Sequence, residues 1–428
     1  MAGSKFLVAP VIVILAAVLA GYINIASIYR SVRVLGILRA EESTIVKEQL
    51  QAIRIADTPY CEDLHRHAAS GLLFTACEGS EETRHAWFPP LGIFDNVSKA
   101  VQTPGTIVVI DPETMKAKSL KLEGFSGPFV THGIDVIDDP KAESGKAIYV
   151  FAVNHRPNAD QDPLAPKADS VIEVFHHKIG TNTARHVRTV KHELIITPND
   201  ILALSPTSFL VTNDHFYRGG IMRHIEDIYT AATWSTTVYA EFEVGKTKPD
   251  DAAHVKANVA LTGLHNNNGL GPGRKPGEVV LVDAAGGMVH FGEIKRKDDE
   301  VLIHVTDTFE AESTLDNPHY FLDPFANDTF DAGGFILAGL SKAINLGGNS
   351  RLADGKDGVM VWHLQDRPSG KGKWEAKLLL QDNADFIRTA SGSVLIPTDP
   401  AKSNGRREAW LFVTGFMSKN VVAVKIGL

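Results

Sequence analysis

The feature that most restricts this chain is a strand-like motif that returns six times after residue 59. It reads Thr-Ile-Val-Val-Ile-Asp at 106–111, Ser-Val-Ile-Glu-Val-Phe at 170–175 and Thr-Thr-Val-Tyr-Ala at 236–240. It returns as Glu-Val-Val-Leu-Val-Asp at 278–283, Val-Met-Val-Trp-His at 359–363 and Val-Val-Ala-Val-Lys at 421–425. β-Branched residues pack well on a pleated surface, and the Gly, Asp, Asn and Pro clusters between copies mark turns. Copies recur every 40 to 80 residues or so, a spacing that suits repeated sheets. Four-stranded sheets arranged around an axis hide their edges, which predicts an all-β, six-bladed β-propeller over residues 59–428. One or two β-sandwiches are the structural alternative, and sandwich domains of this length are rarer. One short helix is expected near 227–235.

The N-terminus is different. Residues 6–29 carry no charged side chain, and residues 6–20 are continuously apolar. A helix of about 20 apolar residues spans a bilayer. Residues 1–31 are therefore expected to form a hydrophobic helix, either a signal anchor or a cleaved signal peptide with Lys5 as its positive region. Residues 32–58 read as a stalk. Arg30, Arg33 and Arg39 follow the apolar run, and the positive-inside rule alone would keep the propeller cytoplasmic. The sequons Asn96-Val97-Ser98 and Asn327-Asp328-Thr329 point to an exported, glycosylated domain in the secretory pathway.

Composition excludes two classes. The formal net charge is −8, so the basic face that nucleic acid needs is not expected. Only two cysteines occur, Cys61 and Cys77, too few for a zinc site built on cysteine pairs. Their spacing suits a disulfide between neighbouring strands, with two buried free thiols as the alternative. No Gly-x-Ser-x-Gly elbow, phosphate loop or His-Glu-x-x-His motif occurs.

Acid and amide residues cluster where strands begin. Glu62-Asp63, Asn199-Asp200, Asn266-Asn267-Asn268 and Asp316-Asn317 lie far apart in sequence, in different repeats. A propeller brings such positions to one end of its channel. Calcium takes six to eight hard oxygen ligands, or about that number, and Glu62, Asn199, Asn268, Asp316 and Asn317 would supply five. Each pair taken singly also reads as a turn. His132 and His155 each follow an apolar run and could move protons near neutral pH, or be packed, hydrogen-bonded core histidines.

In this order these residues resemble the paraoxonase/arylesterase family of calcium-dependent lactonases. The stretches that carry the likeness are Cys61-Glu-Asp-Leu64, His132-Gly-Ile134, Val153-Asn-His155, Pro198-Asn-Asp-Ile201, Thr212-Asn-Asp-His215, Asn268-Gly269 and Leu315-Asp-Asn317. The resemblance implies a hydrolase of aryl esters and lactones with two calcium ions. The catalytic ion would be held by Glu62, Asn199, Asn268, Asp316 and Asn317. The structural ion would lie deeper, on Asp63, Asp200 and the Ile134 carbonyl. His132 and His155 match the family's histidine pair, and His215 a histidine near the active-site mouth. The family disulfide ties the chain start to its C-terminal end. No C-terminal cysteine exists here, so Cys61 would pair with Cys77. The alternatives are a gluconolactonase- or strictosidine-synthase-like propeller, or a calcium-stabilised binding propeller without catalysis.

Overall fold

The structure, a computed structural model, describes residues 25–40, 51–160, 165–245, 251–366 and 373–428. Six sheets form the six blades of a β-propeller, five of them four-stranded and antiparallel, and the second five-stranded with Lys121–Glu123 added parallel at its outer edge. Their innermost strands are Cys61–Arg66, Thr131–Asp138, Pro198–Ser205, Asn267–Pro272, Pro318–Phe321 and Ala390–Pro397. From there the first four strands of each blade run outward by antiparallel pairing. Five of the six recurrent motifs are the third strand of their blade, and Glu278–Asp283 is the second strand of blade four.

The packing explains why these strands read as unbroken apolar runs. Side chains alternate between the two faces of a strand. In blade four, Val279 and Leu281 face blade three, whereas Val280 and Val282 face blade five. Every seam between neighbouring blades holds one apolar cluster of this kind. Blade interiors are thus buried on both faces, with no polar alternation left to see.

The ring is closed by residues expected in the stalk. Ala52–Ile55 pairs antiparallel with Val421–Gly427, from Ala52 opposite Val424 to Ile55 opposite Val421. This makes it the outer strand of blade six, so the propeller begins before residue 59. The first blade is fastened internally by the Cys61–Cys77 disulfide, between directly opposed residues of its first two strands.

The helix expected at 227–235 lies at Ile221–Ile228 instead. Glu226 fixes it there, accepting from the backbone N–H groups of Phe216 and Tyr217 at 2.9 and 2.8 Å, while Ser235 already opens a strand. Near the N-terminus, Ile25–Val34 is helical. It lies against the propeller, where the Arg30 Nε donates to the Gly286 carbonyl at 2.8 Å. Residues 6–24 of the expected hydrophobic segment lie outside the described residues. Among the described residues no helix is long and apolar enough to cross a membrane. Of the two sequon asparagines, Asn327 is exposed, and Asn96 is half-buried and caps a short helix by accepting from Lys99 N at 3.1 Å.

Candidate metal and hydrolytic site

The site grows from one local irregularity repeated around the ring. In five innermost strands the pairing register slips by one residue near the start. The slips fall between Cys61 and Leu64, Thr131 and Ile134, Pro198 and Ile201, Asn267 and Leu270, and Ala390 and Ser393. A bulge of this kind releases residues from the ladder and re-aims their side chains. The released pairs are Glu62-Asp63, His132-Gly133, Asn199-Asp200, Asn268-Gly269 and Ser391-Gly392. Asp316-Asn317 stand in the same place just before the blade-five strand.

Pairs ending in glycine alternate with the others around the ring, and the glycines let blades meet. A Cβ at Gly133 would lie 2.3 Å from the Asn199 carbonyl oxygen, and one at Gly269 2.5 Å from that of Asp316. No side chain fits at either distance. Asp63 and Asp200 fasten adjacent blades. Asp63 Oδ2 accepts from Ile134 N at 3.4 Å, and Asp200 Oδ2 from Leu270 N at 2.7 Å.

Glu62, Asn199, Asn268, Asp316 and Asn317, the five expected calcium ligands, are brought together at this end of the channel. Asn317 Nδ2 donates to Glu62 Oε1 at 2.9 Å. Each of the five has a buried oxygen without a hydrogen-bonding partner among the described residues: Glu62 Oε2, Asn199 Oδ1, Asn268 Oδ1, Asp316 Oδ1 and Asn317 Oδ1. Leaving one buried polar atom unsatisfied costs about 1–3 kcal/mol. Five would cost as much as a typical domain's whole stability of about 5–15 kcal/mol. Burial, followed by the nearby Asp316, Asp63 and Asp200, raises the Glu62 carboxyl well above its usual range. Burial and then Asp63 and Asp214 do the same to Asp316. Oxygen donors crowded with uncompensated acid fit a hard divalent cation.

The deeper set behaves differently. Asp63 Oδ1 accepts from Leu64 N at 2.7 Å, and Asp200 Oδ1 from Ile201 N at 2.7 Å. With the blade-fastening bonds above, all four carboxylate oxygens already accept hydrogen bonds. Burial and then Asp63 nonetheless raise the Asp200 carboxyl well above its usual range, as in the upper set.

His132 and His155 lie beside the upper cluster, both buried. His132 Nε2 is 4.0 Å from Glu62 Oε1. Its Nδ1 meets His155 Nε2 at 3.0 Å, and His155 Nδ1 meets Ser170 Oγ at 2.8 Å. Burial lowers His132 to about 3 and His155 well below its usual value, so both are neutral at pH 7. Ser170 and His155 line a cavity of about 600 Å³, together with Pro90, Phe94, Asp214 and Arg223. His215 is buried behind that wall rather than lining it. It contacts Asp214 at 3.0 Å and Asp227 at 2.7 Å. Burial opposes its charge, but Asp214 and Asp227 lift it to about 9.

Several residues here were not singled out in sequence. Phe88 packs edge-on against His132, with ring centroids 5.3 Å apart, and the buried Arg84 guanidinium lies 4.2 Å over Phe88. Trp87 Nε1 donates to the His155 carbonyl at 2.9 Å. All three come from the long connection after the second strand of blade one, which nothing in the motif pattern marks. Ser391, whose Oγ donates to the Glu62 carbonyl, emerges only from the structure as the sixth member of the alternating pairs.

A family model described as Arylesterase matches residues 92–248. That stretch contains His132, His155, Asn199 and Asp200, and the fold adds Glu62, Asn268, Asp316 and Asn317 from outside it. Serum paraoxonase/arylesterase 2 of Gallus gallus is 29% identical over 235 residues, covering 54% of this chain and 57% of that protein. Its namesake in Rattus norvegicus is 32% identical over 157 residues, covering 36% of this chain and 38% of the other. The chain thus spans little more than half the length of the curated relatives it matches. Among solved structures, the major Malassezia sympodialis allergen Mala s 1 is similar with a TM-score of 0.45 and 10% identity, covering 89% of this chain and 96% of that one. That likeness is too distant to bear on function. The family model and the curated relatives, together with a propeller fold, show that this chain resembles the paraoxonase/arylesterase family.

Proposed function

We propose that the chain is a calcium-dependent hydrolase of aryl esters and lactones whose active site is the upper end of the channel. The observation that carries this reading is the set of five buried, unpartnered oxygens contributed by four blades. The names of the relatives supply the substrate class. Bound there, calcium would supply positive charge toward a substrate carbonyl oxygen.

The remaining steps belong to the chain. Glu62 and Asp316 carry the negative charge that an ion would balance, and Asn199, Asn268 and Asn317 complete the oxygen set. His132 is neutral, so its Nε2 can take a proton from a water attacking the carbonyl. His155 holds the other side of the His132 ring and is held in turn by Ser170. Phe88 limits the ring's rotation and excludes water from one flank. The cavity beside His155 gives the substrate its approach. The family's second, structural calcium would sit by Asp63, Asp200 and the Ile134 carbonyl. The carboxylate oxygens there each accept a backbone hydrogen bond and keep a lone pair for that ion.

The same reading places the propeller in the secretory pathway, on the lumenal or extracellular side, with residues 6–29 as membrane anchor or signal segment and Asn96 and Asn327 as glycan acceptors. The test is hydrolysis of a phenyl ester and of γ- and δ-lactones, with and without a calcium chelator. Activity that disappears with chelation and returns with calcium is expected. Loss of stability without any hydrolysis would make the chain a calcium-stabilised scaffold instead.

A further inference from the structure

The cavity of about 600 Å³ beside His155 has a charge that the chain as a whole does not share. The chain carries a formal net charge of −8, yet the cavity is lined by the cations Lys167, Arg218 and Arg223 against one acid, Asp214. That acid is already engaged. Its Oδ1 meets His215 Nδ1 at 3.0 Å, and its Oδ2 lies 3.8 Å from Arg223 Nη2. Arg223 is itself buried and held by the Pro90 carbonyl, to which its Nη2 donates.

The other two cations face no such acid. Arg218 donates from Nε to the Ile196 carbonyl at 3.0 Å, which fixes one edge of the guanidinium. Lys167 Nζ lies 5.4 Å over the Phe94 ring. Both residues are exposed, and among the described residues no carboxylate oxygen comes within 4.0 Å of either. Asp169 acts on Arg218 from further off, but it is bound to Arg156 at 2.8 Å and to Lys191 at 2.6 Å.

We propose that this cavity selects esters and lactones that carry a carboxylate, recognised by Arg218 and Lys167. The inference rests on the hydrolase reading above and names its substrate class. Three arguments carry it. Cations gathered around a cavity focus the field there and raise the local concentration of an anion by about 10- to 10³-fold. A guanidinium held along one edge still offers donors to a planar carboxylate, the geometry that arginine suits best. The cavity also reaches the reaction centre. Asp214 Oδ2, beside Arg223, accepts from Nδ2 of Asn199, one of the upper oxygen donors, at 3.4 Å. A cavity of this size takes a small molecule, with Phe94 and Pro90 as apolar wall for its body. The substrate's ester or lactone carbonyl would then lie by His132 and its charged end by Arg218 and Lys167.

The test compares 4-carboxyphenyl acetate with 4-carbamoylphenyl acetate, two esters of the same shape of which only the first is charged at pH 7. The quantity read is the ratio of their kcat/KM values on the full, calcium-loaded chain. Arg218→Gln and Lys167→Gln should each lower that ratio about tenfold, and raising salt from about 0.05 to 0.5 M should lower it as well. Arg218→Lys keeps the charge and should restore most of the ratio. Lys256→Gln removes the same charge from an exposed site on the outer strand of blade three and should leave the ratio within about twofold. A ratio that neither cavity substitution lowers, or that Lys256→Gln lowers equally, overturns the inference. Binding of 4-hydroxybenzoate, followed by calorimetry, should weaken about tenfold in the same two cavity variants. Failure of the hydrolase reading looks different: neither ester is cleaved, while 4-hydroxybenzoate still binds through Arg218 and Lys167. Absence of that binding overturns the anion site itself.

Discussion

In the proposed reaction His132 is the residue on which the chemistry turns, and its surroundings define what it can do. Buried and lowered to about 3, it is neutral at pH 7, with Nδ1 turned to His155 and Nε2 toward Glu62. His132→Gln is expected to slow ester hydrolysis by about 10² to 10⁴, the usual worth of a general base. Calcium affinity, read by titration of the same variant, should hardly change. An unchanged rate would transfer the base role to an acid of the cluster such as Asp316. Asp316→Asn should act the other way, weakening calcium binding roughly tenfold or more because ligand charge sets affinity. Both residues were legible in sequence, because an acid–amide pair and a histidine stand out at the mouth of an apolar run. Phe88, Ser170 and Ser391 were not, because an aromatic ring and two serines acquire a role only through neighbours distant in the chain.

At the scale of elements, two contacts beyond the active site matter most. Ala52–Ile55 closes the ring, and Ile55 is fully buried in the seam between blades six and one. Ile55→Ala should cost about 2–5 kcal/mol, read from denaturant unfolding. A cost within about 0.5 kcal/mol, as for a surface site, would place this strand outside the cooperative unit. This strand escaped the sequence reading because four residues are too few to show a period, and its partner lies at the other end of the chain. The strands that did show are those with both faces in a seam. Asp283, at the end of one of them, is buried and raised from 3.8 to about 7, chiefly by burial, despite a 2.9 Å hydrogen bond from Gly286 N. Between those values the folded chain keeps a proton that the unfolded chain has lost, so stability falls as pH rises from about 4 to 7. The burden is a few kcal/mol at most. Asp283→Asn should flatten that slope and raise the melting temperature at pH 8. An unaltered slope would show that Asp283 ionises normally.

For the whole molecule, the propeller itself was legible because its motif repeats once per blade. The registers of its inner strands were not, since a bulge is set by pairing and leaves no mark in composition. Those bulges, with Asp316-Asn317 just before the blade-five strand, leave buried oxygens of blades one, three, four and five at one end of the channel. A ligand that binds only the folded ring should stabilise it, by about 2.7 kcal/mol at a hundredfold excess over its dissociation constant. Melting temperature should therefore climb with calcium and fall with chelator. The most direct measurement follows calcium occupancy and phenyl-ester hydrolysis together as calcium is returned to the stripped chain. The expected result is a rate that rises from near zero in proportion to the filling of a site that Asp316→Asn weakens. Full hydrolysis by the stripped chain, or filling that Asp316→Asn leaves untouched, would contradict the account.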